Sequence, residues 1–229
     1  AGLGPGAVVA LPAEALRQRI NTLSVDPAGK RPAQAKARVD VSAADAAAVV
    51  TALEMSQWMD WIRDGAVDAL HQALGQHALK HGLMRTIDSL VGPLGYAVGE
   101  AWAAGQITIY QEHLFTAAVQ RFLQDALGAA DRQHPPPRKA PRVLLTTLPG
   151  EQHTMGLLMA ECMLALEGCE RRSLGRDTPL SDVAQAAEHW QMDVVALSVS
   201  ALPVASSVWG GLRQLRAASP PRVAIWVGG

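Results

Sequence analysis

One imidazole in this sequence stands in a setting that can do chemistry: Glu151-Gln152-His153-Thr154-Met155-Gly156. A neutral imidazole nitrogen is a good donor to a borderline transition metal. Glu151, two residues before His153, is near enough to hydrogen-bond the second ring nitrogen, which fixes the tautomer and raises the ring's basicity. Gly156 lets a backbone and a ligand approach closely. The same spacing equally describes an ordinary loop histidine ahead of a glycine at a helix start. Downstream lie Leu197-Ser198-Val199-Ser200 and Gly228-Gly229. Upstream, Trp102 is followed after nine intervening residues by Glu112-His113. An indole, a carboxylate and an imidazole would meet there around one helix joint. A core tryptophan with a capping-turn glutamate is the alternative reading.

These residues need elements to place them. Residues 1–40 read as linker with one short helix, Ala13 to Ile20, and a basic stretch, Lys30 to Arg38. Residues 41–130 read as a four-helix bundle. Ser42 caps the first helix, which runs through Ala46, Val49, Val50, Leu53 and Trp58. Leu70, Leu74, His77 and Ala78 mark the buried stripe of the second. The third runs from Leu83 past Gly92-Pro93, a predicted kink, to a stop at Gly105. Thr108 and Gln111 form a capping box for the fourth, expected to end at about Leu127 with Gly128 as its stop. Trp58 and Trp61 read as bundle core or an oligomer contact. His71, His77 and His81 read as surface and half-buried histidines.

Residues 131–142 form a proline-rich linker. From 143 to 229 the pattern is βαβ: apolar strands at Val143–Leu145, Val194–Val199 and Val223–Val227, and a charged edge strand at Arg171–Leu174. A helix from about Thr154 is expected to bury Met155, Leu158, Met159, Cys162, Met163 and Leu166. Thr178-Pro179 reads as N-cap and first turn of the next. The fold class is α/β plus all-α: a bundle followed by a flavodoxin-like, doubly wound parallel sheet. That fold usually has a fifth strand, so the chain is expected to lack its C-terminal end. Ligands of such sheets bind beyond the carboxyl ends of the strands at the switch point, where His153, Ser198, Ser200 and the glycine pair would converge.

Composition narrows the classes. The chain has 229 residues, 49% hydrophobic and 18% charged, with net charge -1. Nothing global points to nucleic acid. No apolar run reaches the ~18 residues of a membrane span. The start lacks a basic region followed by an apolar one, so a cytoplasmic location is expected. Cys162 and Cys169, if helical, lie roughly 10 Å apart along the axis, too far for a disulfide. No nucleophile elbow, P-loop or GxGxxG motif occurs.

Taken together, ExHxxG, the strand-end serines and the terminal GG resemble the cobalamin-binding domain of corrinoid enzymes and sensors, whose pattern is DxHxxG, SxL and GG. Ser200-Ala201-Leu202 fits SxL literally; a start at Ser198 puts Ser200 where Leu is usual. Trp-x9-Glu-His ahead of that domain resembles the CarH/LitR photoreceptors, MerR-family regulators that sense light through adenosylcobalamin. The resemblance covers roughly residues 41–229. It implies that His153 is the lower axial ligand of cobalt, positioned by Glu151, with Gly156 close to the cofactor and the cofactor tail in a groove lined by Ser198, Ser200, Gly228 and Gly229. It implies that the bundle covers the upper face, with Trp102 against the adenosyl group and Glu112 and His113 holding it. It further implies a non-enzymatic regulator, homo-oligomeric as a dimer or tetramer. DNA would be bound through an N-terminal domain not readable here, or a protein partner would take its place. Ala103 departs from the family, which often has a histidine there that takes the upper cobalt position in the light. The rival class is a corrinoid protein of a methyltransferase or mutase system.

Overall fold

The computed structural model describes residues 52–133, 135–200 and 205–228. The readings at 13–20, Ser42, Ala201-Leu202 and Gly229 lie outside the described residues. The chain divides into two compact units, parting between Ala126 and Leu127.

The helical unit contains α1 (Ala52–Arg63), α2 (Val67–His81), α3 (Leu83–Arg85), α4 (Gly92–Ala103) and most of α5 (Ile109–Gln133). A π-helical turn, Thr86–Val91, joins α3 to α4. At Gly92-Pro93, where a kink is expected, a widened turn lies directly ahead and the next helix begins. Pro93 has no N–H to donate, and its ring would press on the carbonyl four residues back. A π turn directly before it relieves that clash. Leu70 and Leu74 are fully buried, as the stripe predicts, while His77 and Ala78 are half-buried. His77 Nδ1 lies 2.9 Å from the hydroxyl of buried Thr86. Trp58 is core and meets Trp61 edge-on at 5.2 Å.

Gly105, at φ +69, follows the last turn of α4. The capping box at Thr108 forms in one direction. Thr108 N–H donates to Gln111 Oε1 at 2.7 Å, but the Thr108 hydroxyl also turns to that oxygen. The Gln111 amide in turn donates to Arg63 O. The expected stop at Gly128 is corrected: α5 runs on to Gln133. Glycine inside a helix costs only about 1 kcal/mol. Ala130 is buried beyond it, and the prolines at 135–137 impose the end.

The α/β unit contains β1 (Arg142–Thr147), α6 (Met155–Leu166), β2 (Glu170–Ser173), α7 (Leu180–His189), β3 (Val194–Ser198), α8 (Ala205–Ala218) and β4 (Ala224–Gly228). The strands are parallel in the order β2-β1-β3-β4. β1 is buried on both faces, and charged β2 is an edge, as its composition predicts. Leu157 and Leu164 of α6 cover one face with Val143, Leu145 and Val194. Side chains of α7 and α8 cover the other with Leu144, Val195 and Leu197.

Two local readings are corrected. The buried residues of α6 are Leu157, Cys162, Met163, Leu164 and Ala165, while Met155, Leu158, Met159 and Leu166 are half-buried. The helix is apolar nearly all round, so its periodicity selects no face. Pro179, not Thr178, is the N-cap residue of α7. Its extended backbone, with ψ 138, places the first turn one residue later. Both cysteines are buried, and burial pushes the Cys162 thiol up to about 12, far from a nucleophile's range. Among the described residues no helix is long and apolar enough to cross a membrane.

Candidate functional site

The strand order puts a switch point between β1 and β3, because β2 returns on one side of β1 and β3 lies on the other. The loop after β1 carries Glu151 and His153. Its start is a tight turn in which Gly150 takes φ +86. Thr147, at the end of β1, donates its hydroxyl to Glu151 O at 3.2 Å.

Glu151 is the centre of this edge. It is 4% exposed and uses both carboxylate oxygens. Oε1 accepts the His153 backbone N–H at 2.8 Å and lies 2.7 Å from His153 Nδ1. Oε2 accepts the N–H of Ser200 at 2.8 Å and its hydroxyl at 2.6 Å. Burial alone would push the Glu151 carboxyl upward. The hydrogen bonds from Ser200 and His153 outweigh it and bring the pKa down to about 2. An ionised carboxylate accepts, so the proton of the imidazole resides on Nδ1. In the neutral ring Nε2 then keeps its lone pair, on a side chain 62% exposed. The ring is thus held as a single outward donor.

Ser198 and Ser200 do different things. Ser198 ends β3 and pairs in register with Thr147 on one side and Gly228 on the other. A Cβ added to Gly156 would lie 3.2 Å from Ser198 Oγ. Strand alternation puts Ser198 and Gly228 on the face covered by α6. Gly156, Ser198 and Gly228 therefore lie together as small residues at the carboxyl edge, on that face. Ser200 is bound to the carboxylate. On the opposite face a cavity of about 670 Å³ opens between the Leu148–His153 loop, Leu180 and the α8 residues Val208 and Gly211.

In the helical unit, Glu112 accepts the Thr116 hydroxyl at 2.7 Å and lies 2.6 Å from His113 Nδ1. The His113 side chain is 69% exposed, again with Nε2 outward. Trp102, in the last turn of α4, is 51% exposed, which is unlike a core residue. Ala103 beside it is exposed and carries no donor atom.

Sequence reasoning paired Glu151 with His153 but missed that Ser200 completes the carboxylate's shell. It also missed Asp177, which accepts hydrogen bonds from Gly150 N–H and from the Gln152 amide. Neither contact has a local signal.

The donor set has a chemical meaning. Among the described residues no group of three or more His, Cys, Asp or Glu side chains is placed to hold a metal ion. A lone imidazole beside a cluster of small residues suits a metal that arrives already held by a macrocycle, needing one axial donor. Residues 58–124 match a family model described as a B12 binding domain, and residues 141–229 match a second with the same description. The chain is 34% identical over 146 residues to the HTH-type transcriptional repressor CarH of Myxococcus xanthus. That match covers 64% of this chain and 47% of the relative, so the chain spans about half its length. Among solved structures, the monomethylamine corrinoid protein of Methanosarcina barkeri overlays with a TM-score of 0.60 at 20% identity. The overlay covers 76% of this chain and 82% of that one, which shows a shared fold. The chain thus carries two B12 binding domains in succession and is similar, over 146 residues, to the repressor CarH.

Proposed function

We propose that this chain is the sensor part of a light-responsive transcriptional regulator that binds adenosylcobalamin and turns over no substrate. The observation that carries the reading is the His153 ring, with Nδ1 engaged by Glu151 and Nε2 presented outward. His153 is the lower axial ligand. Gly156, Ser198, Ser200, Gly228 and Gly229 accommodate the cofactor tail. When bound, adenosylcobalamin supplies a cobalt–carbon bond that visible light splits. The regulator role is supported by the likeness to a transcriptional repressor. A homo-oligomer and contact with DNA, or with a protein partner, belong to the same proposal.

In the helical unit, Trp102, Glu112 and His113 are the groups that recognise the adenosyl substituent. Their exposure supports this role: an indole half open to solvent and an outward imidazole are free to take a ligand. A methyl-carrying corrinoid protein must leave its upper face open to a partner enzyme, and these bulky side chains argue against that rival. Ala103 offers no ligand atom, so a lit state has only water or a histidine such as His113 for the upper position. The deciding experiment is an absorption spectrum of the reconstituted protein before and after green light, with size-exclusion chromatography in both states. A spectral change with a change in oligomeric state or DNA affinity is expected. A light-indifferent protein would return the reading to a corrinoid carrier.

Two substitutions probe the surfaces separately. Trp102→Ala is expected to weaken adenosylcobalamin about 3- to 10-fold, the worth of one aromatic contact, while hydroxocobalamin binding stays near wild type. Equal losses for both forms would make Trp102 a structural residue. Gly156→Ala places a methyl 3.2 Å from Ser198 Oγ. It is expected to weaken every cobalamin form about 10-fold by crowding the proposed tail site, read by equilibrium dialysis.

A further inference from the structure

The His153 loop is gripped from two sides, and only one grip is Glu151. The other comes from the turn between β2 and α7. Asp177 uses both oxygens there: Oδ1 accepts the Gly150 N–H at 2.7 Å and Oδ2 accepts the Gln152 side-chain amide at 2.7 Å. Its backbone is at φ +58, a region that aspartate, asparagine and glycine tolerate better than other residues. The turn is anchored on β1. Thr146 Oγ1 donates to Gly175 O at 2.9 Å, and Thr147 N–H donates to the same oxygen at 3.3 Å. Asp177 N–H donates to Thr147 Oγ1 at 3.4 Å. That same hydroxyl reaches Glu151 O. Asp177 is therefore fixed to the strand end from which the loop departs, and it holds the loop residues on either side of Glu151.

We propose that Asp177 is a positioning residue for His153: by clamping Gly150 and Gln152 it keeps the loop in the one conformation that aims Nε2 at a metal. Glu151 sets the tautomer and the ring plane. Asp177 sets where the loop backbone stands. Without the clamp, the loop regains conformations in which the imidazole misses the axial direction, and ordering it again opposes binding. The proposal rests on His153 being the axial ligand.

Three variants separate the hydrogen bonds from the backbone conformation. Asp177→Gly keeps the left-handed turn without strain and removes both hydrogen bonds. Asp177→Asn keeps the turn and the bond from Gly150, and the Gln152 amide can flip to accept from the new amide. Asp177→Ala loses both bonds and adds strain. Each is read by the histidine-coordinated fraction in the hydroxocobalamin spectrum, by hydroxocobalamin affinity, and by Gly150 amide exchange in the cobalamin-free protein. Asp177→Gly is expected to lower affinity about 10-fold, raise the uncoordinated fraction and speed Gly150 exchange. Asp177→Asn should stay within about threefold of wild type in all three. A wild-type spectrum and affinity in Asp177→Gly would overturn the proposal while leaving His153 as ligand. A wild-type protein that binds cobalamin with no histidine coordination would overturn both. Should Asp177→Gly fail to fold, Gln152→Ala removes one arm of the clamp, and an unchanged coordinated fraction there overturns the proposal.

Discussion

Replacing His153 with alanine is expected to weaken cobalamin binding by about 100-fold or more and to leave the bound cofactor without a protein nitrogen on cobalt. The expectation follows from the donor set around the loop. The imidazole stands as a lone donor with its second nitrogen already committed to Glu151. Nothing else in the loop replaces it: Gln152 is turned to Asp177 and Glu151 is buried with both oxygens occupied. The visible spectrum reports the loss directly, because a coordinated imidazole shifts the corrin bands. Added imidazole should restore the coordinated spectrum if the cavity left by the substitution admits it. Unchanged affinity and an unchanged spectrum would remove His153 from the axial position.

The second large effect lies in stability and pH. The Glu151 carboxyl is brought down to about 2 from its ordinary 4.5, despite burial that pushes it upward. A depressed folded-state value means that the ionised form is favoured by folding. Its contribution is full above the unfolded value, starts to fall below about pH 5, and is largely lost as pH approaches 2. A shift of that size corresponds to about 3 kcal/mol. Urea unfolding of the cobalamin-free protein between pH 6 and pH 2.5 checks it. Wild type should lose about 2 to 3 kcal/mol more than Glu151→Gln across that range. Glu151→Gln should be the less stable protein at pH 7, because an amide NH₂ would then face donors from His153 or Ser200. Parallel pH profiles for the two proteins would show that Glu151 makes no special contribution. The same variant should weaken cobalamin binding about 10- to 100-fold, the usual cost of losing a carboxylate behind a ligand imidazole.

What the sequence made legible divides along physical lines. The parallel sheet and the edge position of β2 are legible in continuous apolar runs and a charged strand, whereas the order β2-β1-β3-β4 is the flavodoxin-like one that the alternation of strands and helices suggests and that those runs do not single out. Glu151 and His153 could be paired because two residues on one loop cannot lie far apart. Ser200 could be placed at the same edge of the sheet but not on the Glu151 carboxylate, and Asp177 could not be placed there at all, the two being 49 and 25 residues from their partners. Only the completed sheet brings them there. The face of α6 was hidden by an excess of apolar residues, and the length of α5 by a glycine whose cost the surrounding helix overrides. Trp102 is legible as a residue type but not in its role, because an exposed indole and a buried one have the same local sequence.

The saturation of Glu151 couples the two loops that it joins. One carboxylate joins the histidine of the first loop to the serine that begins the next, so the two loops share an anion with no spare lone pair facing either. If His153 coordinates a metal as proposed, the bond at Nε2 would draw electron density from the ring and make Nδ1–H a stronger donor. The carboxylate's charge is then pulled toward the histidine and away from Ser200. Linkage requires the traffic to be equal in both directions. Whatever free energy metal binding adds to or removes from the Ser200 contact, a movement of the segment after β3 returns to metal affinity in the same amount. The edge of the sheet is in this respect a balance beam with Glu151 as its pivot.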